Sequence, residues 1–290
     1  MQDSPQPTSK YFNSNGLKLH YLDWGNPSAP LLILQHGMHD HARSWDWVAR
    51  ELCNDWHVIA PDLRGHGDSE WSTDGAYHTS YYLLDFAALI ESLQVETFSI
   101  IAHSLGGNPT ARYSGIYPER ITKLVLVDAL GPSVGALTRW NEEGVIKRNR
   151  DWLEKRQLMM SRKPRSYASI DDAVIRMKKS NKHLSDQQAW HLTEYGLQKK
   201  DEQYYWKYDS RTGAFSADDF AIHLSEYWQE ITAPTLLCWG PESWNTNPDE
   251  DGNATFFSDA QTITFNNAGH WLHHDQLEDF VKEVKKILAL

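Results

Sequence analysis

The pattern of the chain predicts an α/β fold: a mostly parallel sheet flanked by helices, with a helix-rich segment inserted before the last strands. Two observations predict it. Short apolar runs rich in β-branched residues alternate with longer stretches whose apolar residues recur at helical spacing. From residue 131 to about 230 that alternation stops, and charges and aromatics interleave instead. At 290 residues the chain suits one large core, 1–130 with 231–290, carrying the insertion 131–230.

Residues 11 to 25 read as a hairpin, because Asn15-Gly16 is a two-residue turn signal between Tyr11-Phe12 and Leu17 to Tyr21. Leu31 to Gln35 is an apolar strand. Ser44 to Leu52 places Trp45, Val48 and Leu52 on one helical face. A strand at His57 to Ala60 leads into the Asp62 to Ser69 loop, where Gly65 and Gly67 permit tight turns. Thr79 to Leu93 carries Tyr82, Phe86, Leu89 or Ile90, and Leu93 as a core-facing stripe. Thr97 to His103 is a buried strand, followed by a helix from Leu105 to about Tyr117. Pro109 is tolerated there because its missing N–H falls in the first turn. Leu124 to Asp128 is a sixth strand. In the insertion, Trp140, Trp152, Trp190, Trp206 and Trp228 lie in helix-like stretches and together imply an aromatic lining, although each alone is ordinary packing. Thr235 to Gly240 and Thr262 to Phe265 are the last strands. A final helix, Leu277 to Leu288, spaces Phe280, Val284 and Ile287 helically.

Composition excludes several classes. With 28 basic against 39 acidic residues, the net charge of −11 argues against a nucleic-acid partner. The basic residues from Lys147 to Arg165 read as a solvated helix face. Cys53 and Cys238 cannot make a disulfide framework, and Cys238 reads as a small buried residue. Met1 to Lys10 is polar and lacks the apolar stretch of a signal peptide. No run is long enough to span a bilayer. A cytoplasmic protein without a membrane partner, monomeric or homodimeric, is the expectation.

The chemistry concentrates where a strand meets a helix at Ala102-His103-Ser104-Leu105-Gly106-Gly107. So abrupt a change forces Ser104 into a strained bend, and only small neighbours such as Ala102 and Gly106 fit beside it. The bend lifts the Ser104 hydroxyl above the sheet edge and turns the Leu105 N–H the same way. A helix N-cap serine would explain the residue alone. Three further elements accompany it: His36-Gly37 after one strand, Asp62-Leu63-Arg64-Gly65-His66-Gly67-Asp68-Ser69 after the next, and Ala268-Gly269-His270 after the last.

In this order the four elements resemble the α/β-hydrolase superfamily, over roughly residues 17 to 288. The resemblance implies an eight-stranded, mostly parallel sheet and a helical cap at 131–230 that roofs the site. It implies Ser104 as nucleophile, His270 as base, and an oxyanion hole from the backbone N–H groups of Leu105 and Met38. A serine hydroxyl needs a base to take its proton, and the base needs an acid to fix its tautomer and stabilise the imidazolium. The family position for that acid, three residues past Gly240, holds Ser243. The acid is therefore Asp128, at the end of the sixth strand, or Glu242. Three histidines, His36, His39 and His41, fall within six residues, but no zinc-type partner spacing appears elsewhere, so neither a metal nor an organic cofactor is expected.

The expected activity is that of a carboxylesterase: hydrolysis of carboxylic esters with small to medium apolar acyl groups through an acyl-enzyme, on a small-molecule substrate. The same residues could serve carbon–carbon bond hydrolysis, lactone opening, perhydrolysis or acyl transfer. A non-catalytic receptor for a small ligand is a third reading. Serine instead of a carboxylate at the bend speaks against dehalogenase or epoxide-hydrolase chemistry.

Overall fold

The computed structural model describes residues 5–213, 219 and 224–289. Residues 1–4 of the polar N-terminal stretch, 214–218 and 220–223 of the insertion, and 290 lie outside them. The chain opens with the hairpin β1 (Thr8–Ser14) and β2 (Leu17–Asp23). Its turn residues, Asn15 at φ 47° and Gly16 at φ 79°, are both left-handed, as a twist-compatible two-residue turn requires. There follow β3 (Leu31–Gln35), a 3₁₀ turn at Ala42–Trp45, α1 (Asp46–Leu52), β4 (His57–Pro61), α2 (Thr79–Leu93), β5 (Phe98–His103), α3 (Gly107–Ile116) and β6 (Ile121–Val127).

The insertion then runs through α4 (Val134–Glu142), α5 (Val145–Ser161), β7 (Ser166–Tyr167), α6 (Ile170–Ser180), α7 (Asp186–Gly196), β8 (Leu197–Lys200), β9 (Gln203–Trp206) and α8 (Ser225–Glu230). The chain returns with β10 (Thr235–Trp239), β11 (Ala260–Thr264), α9 (Leu272–Asp275) and α10 (Leu277–Leu288).

Eight strands form one sheet in the order β1-β2-β4-β3-β5-β6-β10-β11. Only β2 runs against its neighbours; every pairing from β4 to β11 is parallel. The central strands are covered on both faces, which explains their unbroken apolar sequence. Successive side chains alternate between two cores. Leu32, Leu34, Ile101, Val125 and Val127 pack on one face with Trp45, Phe280 and Val284. Leu31, Ile33, Ile100, Leu124 and Leu126 pack on the other with Phe86, Leu89, Tyr113 and Trp228. Because the strands are parallel, the loops after β3, β5, β6, β10 and β11 emerge along one edge of the sheet, where ligands bind in open α/β folds.

The insertion departs from the all-helical expectation. It contains a second, three-stranded antiparallel sheet in the order β7-β9-β8. Its strands are only two to four residues long, too short for a periodic signal. The β8–β9 turn also lacks a turn sequence: Asp201 at φ 48° and Glu202 at φ 60° adopt the left-handed geometry usually given to Asn-Gly. Nor do its tryptophans form one lining. Trp228 is buried and stacks on Phe257, 5.6 Å away, against the large sheet, whereas Trp140 and Trp190 are exposed.

No helix among the described residues is long and apolar enough to cross a membrane. Cys53 and Cys238 are both buried free thiols, and burial pushes the Cys238 thiol well up.

Candidate active site

Strand β5 ends against the end of β3, and that contact fixes the bend. A Cβ on Gly106 would lie 2.4 Å from the carbonyl oxygen of His36, and one on Gly37 would lie 2.9 Å from Cβ of Ser104. Both positions therefore demand glycine for close approach. Ser104 itself sits at φ 50°, a left-handed conformation that costs a non-glycine residue about 1–3 kcal/mol. Asp128, the first residue after β6, is left-handed as well, at φ 48°, and its N–H donates to the Cys238 carbonyl at 2.8 Å.

The bend brings the Ser104 hydroxyl to 2.8 Å from Nε2 of His270. The other ring nitrogen, Nδ1, is hydrogen-bonded to Oδ2 of Asp128. The Asp128 side chain is 2 % exposed and that of His270 23 %. The His270 ring is held from both flanks: Trp244 lies 3.9 Å from it between centroids and His103 4.6 Å. Nε2 of His103 meets the His270 backbone carbonyl at 2.9 Å, tying the base's backbone to the residue before the serine.

Ser243, which occupies the family's usual acid position, donates its hydroxyl to the same Asp128 oxygen at 2.5 Å. Asn245 completes the cradle, its side-chain amide donating to the Asp128 carbonyl and its N–H to Ser243 Oγ. Ser243 therefore braces the same carboxylate oxygen that meets His270. Glu242, the alternative acid, is engaged elsewhere. Its carboxylate meets Lys182 at 2.5 Å and His183 at 3.1 Å, both from the insertion, and these hydrogen bonds hold it below its ordinary value. The short loop after Gly240 turns the backbone of Glu242 onto the Ala268 carbonyl and points its side chain outward.

Met38 and Leu105, the expected oxyanion donors, line one cavity with Ser104, Leu130, Leu224 and Trp244. Its volume is about 380 Å³ and its walls are mainly apolar. The neighbouring histidines scatter. His36 accepts from the Leu63 N–H, His41 meets the Leu192 carbonyl, and His39 stacks on Tyr208. His273 and His274 lie buried behind the base, His273 stacked on Trp45 and His274 bonded to Ser44. Asp62, in the Gly-rich loop, is buried and accepts from His20, the Ala42 N–H and the Asp68 N–H, so its role there is to join hairpin and loops.

Among the described residues two groups bring metal-type ligand atoms within 4.8 Å of one another: Asp40, His273 and His274, and His20, Asp62 and Asp68. Both carboxylates central to them already accept protein hydrogen bonds.

A family model for the alpha/beta hydrolase fold matches residues 30–277. The chain belongs to the α/β-hydrolase family. It is 32% identical over 189 residues to a serine hydrolase-like protein of Danio rerio, covering 65% of this chain and 57% of that protein. It is 27% identical over 272 residues to epoxide hydrolase 4 of Mus musculus, covering 90% and 74%. The matched part thus spans little more than half of the Danio rerio relative. Among solved structures, an E-2-(acetamidomethylene)succinate hydrolase superposes with a TM-score of 0.81 at 18% identity, covering 98% of this chain and all of the other. An esterase of Mycobacterium tuberculosis gives 0.78 at 24% identity, covering 99% and 94%. At such identities these likenesses concern the fold. Family membership carries the coarse assignment, a hydrolase of the α/β class, and leaves the bond cleaved to the residues of the site.

Proposed function

We propose that this protein is a serine hydrolase that cleaves carboxylic esters of small to medium apolar acyl groups through an acyl-enzyme intermediate. The observation that carries the proposal is the continuous hydrogen-bond chain from Ser104 through His270 to Asp128 at the floor of an apolar cavity. Ser104 attacks the ester carbonyl while His270 takes its proton. Asp128 keeps the imidazole in the required tautomer and stabilises the imidazolium. The proton then goes to the departing alkoxide, and a water activated by His270 releases the acid. The N–H groups of Met38 and Leu105 receive the charge that develops on the carbonyl oxygen. Fixed dipoles of this kind are worth roughly 3–4 kcal/mol each.

The residues of 131–230 act as the cap over this site: Lys182 and His183 bind Glu242 in the loop that also carries Ser243. A serine at the bend supports an acyl-enzyme over the carboxylate-based alkyl-enzyme of epoxide chemistry. The test is covalent labelling with a fluorophosphonate probe, with turnover of 4-nitrophenyl esters measured in parallel. Labelling and turnover are expected in the wild type, and both are lost in Ser104→Ala. Wild-type turnover in that variant overturns the proposal.

A further inference from the structure

A second cavity of about 340 Å³ is lined by residues of the insertion together with His39 and Trp271. It differs in character from the first. Its wall is a stack of rings: His39 lies 4.2 Å from Tyr208, and Trp206 continues the stack at 6.1 Å, within 14° of parallel. The Nε1–H of Trp206 donates to the Tyr167 hydroxyl, which fixes the indole. Arg165, just before β7, and Arg176, on α6, also line the cavity. Among the described residues neither guanidinium has a carboxylate or hydrogen-bonding partner, and no Asp or Glu lines the cavity. Both arginines are exposed, so their guanidiniums are open to solvent beside the aromatic wall.

Two further facts support an anion here. Burial and the neighbouring Tyr167 raise the Tyr208 phenol, while the charges of Arg176 and Arg165 pull it back. Burial also lowers the His39 imidazole to about 4, so it adds no third charge at neutral pH.

The cavity adjoins the reaction centre. Met38 lines the serine cavity and the next residue, His39, lines this one. His270 bonds Ser104 and the next residue, Trp271, lines this one.

From this arrangement we infer that Arg165 and Arg176 form an anion subsite, so that the substrate is an ester carrying a carboxylate or phosphate on the arm that points away from the apolar cavity, borne on a flat or aromatic group that stacks on Tyr208 and Trp206. The guanidiniums supply forked donors for planar oxyanions, and the rings supply stacking area. The inference rests on the ester-hydrolase reading for its link to catalysis; the anion site itself does not.

The experiment has two parts. Kinetics compare 4-acetoxybenzoate with phenyl acetate, which puts the charge on the alcohol arm. They also compare mono-4-nitrophenyl suberate with 4-nitrophenyl octanoate, which puts it on the acyl arm. In one pair the charged member is preferred in kcat/KM, and Arg165→Ala/Arg176→Ala lowers that preference by about tenfold or more, as loss of charged hydrogen bonds predicts. Lys199→Ala, which removes a charge outside the cavity, leaves the preference as it was. Binding is measured separately in Ser104→Ala, by quenching of tryptophan fluorescence with naphthalene-2-carboxylate and 2-naphthyl phosphate. The tighter of the two identifies the anion, and the double arginine substitution abolishes its binding. Ester turnover with a charge preference indifferent to both arginines overturns the subsite and spares the serine-hydrolase reading. Arginine-dependent binding in a protein without ester turnover does the reverse.

Discussion

The loops at the sheet edge and the inserted segment above them are built by different physics. Ser104, Asp128 and His270 sit on strand ends whose backbones are locked by close packing, left-handed conformations and buried hydrogen bonds. The insertion holds few fully buried apolar side chains, and Ile146, Leu158 and Ile175 are exposed on its helices. Precision at the edge suits bond chemistry, which tolerates little misplacement. A lightly packed insertion can vary its lining residues at small cost to the fold, and in this protein it supplies Arg165, Arg176 and the Trp206 wall. The contrast teaches where reaction and selectivity are each encoded.

The largest test of that contrast sets one carboxylate against another. Asp128→Asn should lower kcat for an activated ester by about 10⁴-fold, because the imidazole loses its oriented partner. Glu242→Gln, which breaks a contact to the insertion, should change kcat less than about fivefold, the loss of a solvent-accessible ion pair. Comparable losses in both variants would erase the distinction between the regions.

A stability comparison comes next. Phe280, on α10, is fully buried in the core under the sheet, and Phe280→Ala should cost about 3–5 kcal/mol in denaturant unfolding. Ile175, on α6, is 67% exposed, and Ile175→Ala should stay within about 0.5 kcal/mol.

The last test is a pH slope. His103, His273 and His274 are buried beneath the catalytic loops, and burial holds all three below 6.5, His274 at about 4. Below about 6.5 the unfolded chain takes up protons that the folded chain refuses. Their contribution is complete above 6.5 and declines as the pH falls toward 4, by up to about 1.4 kcal/mol per pH unit for each histidine. Melting temperatures measured from pH 7 to 4 should fall accordingly, and His273→Phe should flatten the slope. A flat profile in the wild type would mean that these side chains ionise in place.

Much of the scaffold was legible in the chain itself. Thr79–Leu93 and Leu277–Leu288 were bounded by their own periodicity, and the Asn15-Gly16 turn by its dipeptide, because each signal is local and needs no distant partner. The bend at Ser104 was legible for the same reason: small residues flank a strand that stops. The three-stranded sheet was not, since strands of two to four residues and an Asp201-Glu202 turn carry no pattern.

What the sequence determined by itself was the alternation of strand and helix and the order of Ser104, Asp128 or Glu242, and His270 along the chain. Only the tertiary structure set Asp128 against Nδ1 of His270, turned Glu242 to Lys182 and His183, and placed the Ser243 hydroxyl on Asp128. Such choices depend on how two loops more than a hundred residues apart turn toward each other, as Ser243 and Asp128 do across 115 positions. The same holds for Arg165 and Arg176. As letters they belonged to a solvated helix face or to no motif, and they line one cavity only because α6, β7 and β9 fold around it. Local periodicity follows from backbone geometry, which every short segment carries within it, whereas convergence of side chains is a property of packing that no segment contains alone.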